Sequence, residues 1–218
     1  MARRYDLIVF DWDGTVMDST SFIAGAIQAS CRELGLPVPS DEAARYVIGM
    51  GLEQALRHAV PDVGEEWYPR LVQHYRQRYL AQDERIPLYA QARETIAELH
   101  DAGHMLAVAT GKSRNGLDRA MRASGMTDYF LAVRTADMTL SKPHPAMLLE
   151  LMDELGTSPE RTLMVGDTTH DLQMAINAGV DAVGVAHGAH PPEQLLALQP
   201  LALLDDFIML REWFRAHA

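Results

Sequence analysis

Six short, uninterrupted apolar runs constrain the fold of this chain more than any other feature of its sequence. Runs of this length are typical of parallel strands that are buried on both faces of a sheet. Segments with helical periodicity separate them, and those at 92–100, 113–124 and 145–155 are each followed closely by a glycine that can end a helix. The alternation predicts an α/β fold with a doubly wound, Rossmann-like parallel sheet. The runs are LIVF at 7–10, MLAVA at 105–109, LAV at 131–133, TLMV at 162–165, AVGV at 182–185 and LALL at 201–204.

The alternation is interrupted once, between residues 17 and 86, where no comparable apolar run occurs. Apolar side chains recur there every three to four residues, as on amphipathic helices. We predict a small all-helical cap at 17–86, inserted after the first strand of a core domain formed by 1–16 and 87–218. An insertion at this point lies above the carboxyl ends of the strands, where a lid over a site belongs. The two clearest helix faces are Phe22, Ile23, Ala26, Ile27 and Leu34, and Trp67, Leu71, Tyr75 and Tyr79.

Two pairs of carboxylates follow two of the predicted strands. Asp11 and Asp13 come directly after the first strand in DWDGT, and Asp167 and Asp171 follow the fourth strand in GDTTHD. Carboxylates gathered at one sheet edge repel each other unless a cation or protons offset their charge. Magnesium takes oxygen ligands and is held by few protein carboxylates beside substrate phosphate. The sequence therefore predicts a Mg²⁺ site formed by these four aspartates, at the edge where ligands of open α/β sheets bind.

Groups that can bind a phosphate follow two further strands. Thr110 and Gly111 come after the second strand and offer a hydroxyl and backbone N–H groups near a helix start, which is a ready anion site. Lys142 stands in SKPHP, just before a predicted helix. The chain has only two lysines, Lys112 and Lys142, against 17 arginines, and both lie in predicted strand-to-helix connections. As a compact point charge, Lys142 suits a phosphoryl oxygen.

Several competing motifs fit less well. ATGKS at 109–113 resembles the end of a nucleotide-binding P-loop, but Leu106 stands where the first glycine is needed. GMG at 49–51 follows no predicted strand, which favours a turn over a dinucleotide site. His187 and His190 have the spacing of a ligand pair, but the neighbouring Gly188 and two prolines favour a loop. Neither a Ser-His-Asp order nor a CxxC pair is present.

Composition narrows the partners of the chain. The formal charge of −11 argues against binding to nucleic-acid phosphates or an anionic membrane, so a small phosphorylated metabolite is the expected partner. The single Cys31 cannot form an internal disulfide and fits a cytoplasmic location. The apolar run at 7–10 is too short for a signal peptide or a membrane span. For the oligomeric state, the sequence leaves monomer and homodimer open.

The four motifs, in this order, resemble those of the haloacid dehalogenase superfamily of phosphatases, particularly its phosphoglycolate phosphatase-like branch. DWDGTVMDS at 11–19 resembles the first motif, Thr110 the second, Lys142 in SKPHP the third and GDTTHD at 166–171 the fourth. The second motif reads TGK where many relatives have TNK, so Gly111 contributes only its backbone. The predicted helical insertion resembles the small cap of this family, which lies between the first and second motifs.

The resemblance implies roles for these residues. Asp11 would attack phosphorus as a nucleophile, and Asp13 would act first as a general acid and then as a general base. Asp167 would help to hold magnesium, and Asp171 would support both the metal and Lys142. The dehalogenases that give the family its name lack the second aspartate of the first motif, so the presence of Asp13 favours phosphoryl transfer.

The sequence thus predicts a Mg²⁺-dependent phosphatase that hydrolyses a small phosphomonoester, such as phosphoglycolate, through an aspartyl-phosphate. Two alternatives stay open. One is a sugar-phosphate mutase or a pyrophosphatase of the same superfamily, which differs in the acceptor or the substrate. The other is a non-catalytic binding protein that keeps the fold, although such a protein has no need to hold repelling carboxylates together.

A segment of the predicted cap carries a hypothesis about specificity. We expect the segment at 47–56 to reach the mouth of the site and to govern which phosphoesters enter. Gly49 and Gly51 would let backbone N–H groups approach a small anion, and Arg45 and Arg57 would offer charge nearby. The competing interpretation is an ordinary turn between two helices.

Overall fold

The computed structural model of the protein describes residues 4–81 and 85–217. Its six strands form one parallel sheet in the order β3-β2-β1-β4-β5-β6. From the centre of the sheet the chain runs outward in both directions, through β2 to β3 and through β4 to β6, so the switch point lies between β1 and β4. This order confirms the predicted doubly wound α/β fold. All six apolar runs form strands. The strands are β1 (Leu7–Phe10), β2 (Met105–Thr110), β3 (Ala132–Thr135), β4 (Thr162–Gly166), β5 (Asp181–Val185) and β6 (Ala202–Leu204).

Helices cover both faces of the sheet, as uninterrupted apolar strands require. Along β1, Ile8 and Phe10 enter one buried cluster, whereas Leu7 and Val9 enter the other. Successive side chains of a strand point to opposite faces, so each face of this strand needs its own apolar layer. The helices outside the insertion are α5 (Ala92–Asp101), α6 (Arg114–Ala123), α7 (Ala146–Leu155), α8 (Thr169–Ala178), α9 (Pro192–Leu196) and α10 (Phe207–His217).

The segment between β1 and α5 is helical in the part of the chain that the structure describes. It contains α1 (Thr20–Glu33), α2 (Asp41–Tyr46), α3 (Leu52–Ala59) and α4 (Tyr68–Leu80). These helices share a third apolar cluster, in which Ile23 and Ile27 of α1 and Leu71 and Tyr79 of α4 are buried. The two helix faces predicted from the sequence therefore supply much of this cluster.

Two chain segments that lead into and out of the insertion run side by side. The Tyr89 N–H donates to the carbonyl of Val16 at 3.0 Å, and the Asp18 N–H donates to the carbonyl of Pro87, also at 3.0 Å. Met17 and Leu88 form an antiparallel bridge between them. The predicted division into a core at 1–16 and 87–218 and a cap at 17–86 stays a prediction, and its residues 1–3, 82–84 and 218 lie outside the described part.

None of the helices described at residues 4–81 and 85–217 combines the length and apolar character needed to cross a bilayer.

Candidate active site

The site lies at the carboxyl ends of the two central strands. Phe10 of β1 pairs with Val165 of β4, and the Asp11 N–H donates to the carbonyl of Val165 at 2.9 Å. Asp11 and Asp167 therefore leave adjacent strands at nearly the same level. Together with Asp171 they offer three buried carboxylate oxygens that all lie within 4.8 Å of one another. The register of a parallel sheet thus gathers three of the four predicted metal ligands.

Burial dominates the electrostatics of this carboxylate cluster. Burial raises the pKa of Asp11 to about 7, while Lys142 opposes the rise and Asp171 and Asp13 add to it. The pKa of Asp167 is likewise raised well above its usual range, first by burial and then by the charges of Asp11 and Asp171. Like charges about 5 Å apart repel by roughly 3 kcal/mol per pair at an effective dielectric constant of about 20. The three carboxylates therefore need positive charge nearby to be ionised together.

Lys142 supplies part of that charge. Its ammonium is fully buried and donates to Asp11 Oδ1 at 2.7 Å and to Asp171 Oδ1 at 2.6 Å. Burial alone would lower the pKa of Lys142, but the two carboxylates outweigh it and hold the pKa above its ordinary value. The lysine is charged, and it fixes the rotamers of both aspartates.

The residues present fit a divalent cation. When all three carboxylates are ionised, they and one ammonium leave two negative charges uncompensated, which is the charge that one divalent ion neutralises. Among the described residues, Asp11 Oδ2 is a buried side-chain oxygen without a hydrogen-bond partner. A buried unpartnered carboxylate oxygen is costly, and a metal ion removes that cost. All-oxygen donors suit magnesium or calcium rather than a softer metal.

Neighbouring groups hold the other two carboxylates in place. Asp167 accepts from the Thr15 hydroxyl at 2.6 Å and from the Ala189 N–H at 2.7 Å. Asp171 Oδ2 accepts from the Thr168 N–H at 3.0 Å and from its hydroxyl at 2.6 Å. Thr168 and Asp171 form a capping box at the start of α8, so the helix cap itself orients a residue of the cluster.

Three glycines leave room for these carboxylates. A Cβ atom on Gly188 would lie 2.1 Å from Asp167 Oδ2, and one on Gly14 would lie 2.2 Å from the same atom. A Cβ on Gly166 would lie 2.3 Å from that of Asp171. Gly14 also has a φ of +86°, which disfavours any residue with a side chain. The backbone thus packs against the carboxylates at distances that only glycine allows.

Asp13 lies apart from the three clustered carboxylates. Its Oδ1 accepts from the Ser19 hydroxyl at 2.7 Å, and its Oδ2 lies 3.0 Å from Lys112 Nζ. Metal binding by Asp13 stays a prediction, because its carboxylate oxygens contact a hydroxyl and an ammonium instead. A carboxyl group beside, but outside, the cluster suits the transfer of a proton.

The predicted phosphate-binding residues lie at the end of β2. Val108 pairs with Phe10, so Thr110 leaves the sheet at the same edge as Asp11. Thr110 is buried, and its hydroxyl oxygen accepts from the Lys112 N–H at 3.2 Å. The helix that follows, α6, begins at Arg114, and Ser113 caps it. The structure therefore brings the motif residues of β1, β2 and β4 to one edge.

The turn between α2 and α3 packs directly on the core. A Cβ atom on Gly111 would lie 2.4 Å from the carbonyl oxygen of Met50 and 2.6 Å from that of Gly49. The Gly51 N–H donates to the Ser141 hydroxyl at 2.9 Å. Gly49, with φ of +93°, faces Thr168, whose hydroxyl oxygen would be 3.3 Å from an added Cβ. This glycine-bearing turn reaches the residues that flank the site, as the sequence hypothesis expects.

A second contact between insertion and core involves Tyr46. Its carbonyl accepts from Nε2 of His170 at 2.8 Å and from Nε2 of His190 at 2.9 Å. Its ring stacks on that of His190 with centroids 5.2 Å apart. Burial lowers the pKa of both histidines, which favours their neutral forms. His187 and His190 lie in the turn after β5, as the loop interpretation predicts.

The two arginines that were expected to supply charge near the glycine-bearing turn bind within the insertion. Arg45 donates to Asp41 and to the hydroxyls of Thr20 and Ser21. Arg57 pairs with Glu53 and Glu65 and lies over the ring of Tyr68. Both guanidiniums are thus held by cap residues, a pairing that charge spacing alone did not reveal.

Sequence reasoning overlooked several residues of the site. Thr15, Ser19 and Ala189 contact Asp167 or Asp13, and Gly188 packs against Asp167. The placement of Lys112 was noted from the sequence, but its contact with Asp13 was not predicted. Thr15 and Ser19 lie within the first motif, which was a signal that they belong to it. Gly188 and Ala189 lie in a loop more than twenty positions after Asp167, and no local pattern connects them.

Comparison with known proteins places these features in a family. A family profile described as haloacid dehalogenase-like hydrolase matches residues 8–185. A protein of Dickeya dadantii named "Probable phosphatase IndB" is 39% identical over 208 residues, which cover 92% of this chain and 90% of that protein. A phosphoglycolate phosphatase of Pectobacterium atrosepticum is 33% identical over 206 residues, which cover 92% and 88%.

Solved structures agree with the sequence comparisons. The crystal structure of a predicted phosphoglycolate phosphatase from Haemophilus somnus 129pt superposes with a TM-score of 0.86 at 25% identity. The superposition covers 98% of this chain and 99% of that one. The resemblance inferred from the four motifs is therefore confirmed.

Proposed function

The chain belongs to the haloacid dehalogenase-like hydrolases and is a hydrolase of phosphate monoesters, and from this premise we propose a Mg²⁺-dependent phosphatase that works through an aspartyl-phosphate on Asp11. One observation carries the proposal. The buried Asp11 has one oxygen held by Lys142 and the other without a partner, in a cluster of three carboxylates whose ligand oxygens lie within 4.8 Å of one another.

In the first step, a carboxylate oxygen of Asp11 attacks phosphorus, and the bond between phosphorus and the leaving oxygen breaks. Asp13 gives its proton to that oxygen, so that the alcohol leaves neutral. Lys142 stays between Asp11 and Asp171 and holds the nucleophile in one orientation. The hydroxyl of Thr110 and the backbone of Gly111 bind phosphoryl oxygens and keep phosphorus in line with Asp11.

In the second step, a water molecule attacks phosphorus from the side that the alcohol has left. Asp13, now ionised, takes a proton from this water, and the bond between phosphorus and Asp11 breaks. Inorganic phosphate and the free Asp11 carboxylate result, and Asp13 is protonated again for the next turnover. Asp13 thus gives a proton in the first step and takes one in the second, and the bond between phosphorus and Asp11 forms in the first and breaks in the second.

A magnesium ion would be held by Asp11, Asp167 and Asp171. When bound, it supplies positive charge that lowers the repulsion between the carboxylate of Asp11 and the phosphate dianion. Thr15, Thr168 and the Ala189 N–H keep the ligand carboxylates oriented, as outer partners do in metal sites.

The substrate is a small phosphomonoester. Relatives named phosphoglycolate phosphatase support this substrate class, and the close packing of the turn at 48–51 on Gly111 supports a small leaving group. Hydrolysis is preferred over transfer to a sugar hydroxyl or cleavage of pyrophosphate. The cytoplasmic location remains a prediction of the amino-acid composition.

The proposal is tested with p-nitrophenyl phosphate and with a panel of phosphorylated metabolites, with and without Mg²⁺. We expect metal-dependent release of inorganic phosphate in amounts equal to the alcohol. Acid quenching during turnover of ³²P-labelled substrate should trap label on the protein, and Asp11→Asn should not trap it. Phosphate release without any labelled protein would contradict the aspartyl-phosphate, and transfer of phosphate to a sugar without release would favour the mutase.

A further inference from the structure

Lys112 is a buried cation near the site that the proposed chemistry does not use. Its side chain is only 8% exposed, and its ammonium lies 3.0 Å from Asp13 Oδ2. It also donates to the hydroxyl of Tyr79 at 2.6 Å and lies 4.4 Å from the centre of that ring. Tyr79 belongs to α4 of the insertion and packs against Phe22 and Tyr75. Lys112 therefore connects the proposed general acid with the apolar wall of the cap.

The arrangement of Asp13 is not yet ready for proton transfer. Oδ1 accepts from the Ser19 hydroxyl and Oδ2 is paired with Lys112, so both oxygens of Asp13 already have a protein partner. The general acid of the first step must present a protonated oxygen within hydrogen-bond distance of the leaving oxygen. Lys112 must therefore move away from Oδ2 before Asp13 can act.

The position of Lys112 also determines which part of the substrate it meets. A general acid lies about 3 Å from the leaving oxygen, so an ammonium bound to Asp13 lies within about 6 Å of it. Lys142 contacts the proposed nucleophile Asp11, and in an in-line displacement the leaving oxygen lies on the side of phosphorus away from the attacking oxygen. One lysine thus faces the attacking oxygen, and the other faces the organic part of the substrate.

We propose that Lys112 recognises an anionic group on the leaving part of the substrate, and that this recognition frees Asp13. The inference rests on the proposed phosphatase function. The ammonium exchanges the carboxylate of Asp13 for an anion of the substrate, which is either a carboxylate or a second phosphate. Tyr79 keeps the ammonium close by during the exchange. Lysine suits such a movement, because four rotatable bonds carry a compact charge.

The exchange makes the general acid dependent on the substrate. When the anion draws Lys112 away, Asp13 Oδ2 loses its ammonium partner and can contact the leaving oxygen in the first step. A neutral substrate offers no such anion, so Lys112 stays on Asp13. Such a substrate binds through its phosphate but reacts slowly, and the loss is in kcat more than in KM.

Pairs of substrates of similar size test the inference without any mutation. Phosphoglycolate and ethyl phosphate differ in a carboxylate, as do 3-phosphoglycerate and glycerol 3-phosphate. We expect the wild-type protein to prefer the carboxylate member of at least one pair by about tenfold or more in kcat/KM. Pyrophosphate is tested as a further substrate, because the anionic group on its leaving part is a phosphate. Equal hydrolysis of charged and neutral members would overturn the inference and leave the phosphatase function standing.

Lys112→Gln gives the decisive comparison. Activity on the preferred anionic substrate should fall about tenfold or more, whereas kcat for its neutral counterpart should hold or rise, because Asp13 is no longer paired. Lys112→Arg should restore part of the preference, and Tyr79→Phe should weaken it. Arg122→Gln removes the same charge from the exposed surface and serves as the matched control.

Each result has a definite meaning. An equal loss on both members of a pair would show that Lys112 only supports the fold or Asp13, and would overturn the inference. If Lys112→Gln does not fold, the wild-type preference and Lys112→Arg decide. Absence of hydrolysis for every phosphoester, p-nitrophenyl phosphate included, would instead contradict the proposed function itself.

Discussion

The core and the cap contact the same site through different kinds of groups. On the core side, Asp11, Lys142, Asp167 and Asp171 are fully buried, and neighbouring groups fix each of them. On the cap side, the contacts described above are made by backbone carbonyls, the Gly51 N–H, the hydroxyls of Ser19 and Tyr79, and aromatic rings. Tyr46 of the cap contacts the core, and the cap also contacts the site through the glycine-bearing turn at 48–51 and the ring of Tyr79.

This difference separates two tasks. The four fully buried charges hold each other and cannot be rearranged without large cost, so we expect this part of the core to act in the same way on any phosphate that reaches it. Weak, uncharged contacts can form and break at low cost, so we expect the contacts of the cap to vary between substrates. Variants on the two sides should therefore differ in the size and in the kind of their effects.

The largest effect is expected for Asp11→Asn, on the core side. The amide keeps the shape but is no nucleophile, so turnover should fall by at least about four orders of magnitude on every substrate. Steady-state phosphate release from the purified variant, checked by mass spectrometry for deamidation, measures this. Asp128→Asn, on the exposed core surface, is the matched control and should keep full activity. Wild-type-like turnover in Asp11→Asn would remove this residue from the mechanism.

The second-largest effect on turnover is expected when the metal is removed. Exhaustive chelation should lower kcat by about a thousandfold or more on all substrates, and Mg²⁺ should restore it. Calcium should inhibit, because it accepts more oxygen ligands at longer distances and can engage both oxygens of Asp11. Titration of the apoprotein with each ion, followed by activity, checks both statements. Full activity after chelation would disprove the metal site.

Gly111→Ala should have a smaller effect and should act through the cap. The added methyl would meet the carbonyls of Gly49 and Met50 at 2.4 to 2.6 Å, so the turn at 48–51 has to move away. We expect kcat/KM to fall about tenfold to a hundredfold, while beryllofluoride still binds at Asp11. Gly25→Ala adds the same methyl in α1, where no atom lies within 4 Å. A parallel loss of beryllofluoride binding would place the defect in the core instead.

The smallest and most selective effect is expected for Gly49→Val. Its φ of +93° and the proximity of Thr168 both disfavour a side chain, so the turn should shift. The ranking of substrates by kcat/KM should change about threefold to tenfold, with the largest loss for the preferred substrate. Gly35→Val is the matched control, because Gly35 also has a positive φ, at +67°, but a Cβ added there would meet nothing within 4 Å outside its chain neighbours. An unchanged ranking of substrates in a folded Gly49→Val protein would show that the turn only connects α2 and α3.

The fold could be predicted in detail because its signals are local. All six strands lie within two residues of the apolar runs, since strands covered on both faces must be apolar throughout. The positions of four candidate site residues could also be predicted, because Asp11 and Asp167 directly follow strands, Thr110 ends β2 and Lys142 lies four residues before α7. Strand ends of a parallel sheet meet at one edge, so sequence position was enough to bring these residues together.

The sequence by itself determined the sheet, the helical insertion and the candidate site residues, because hydrophobic period and strand ends are properties of short segments. Only the tertiary structure decided what those residues contact. The pairing of Lys112 with Asp13, the contact of Gly188 with Asp167 and the position of the turn at 48–51 on Gly111 join segments far apart in the chain. Such contacts depend on how separate elements pack, and no local pattern of residues encodes their distances.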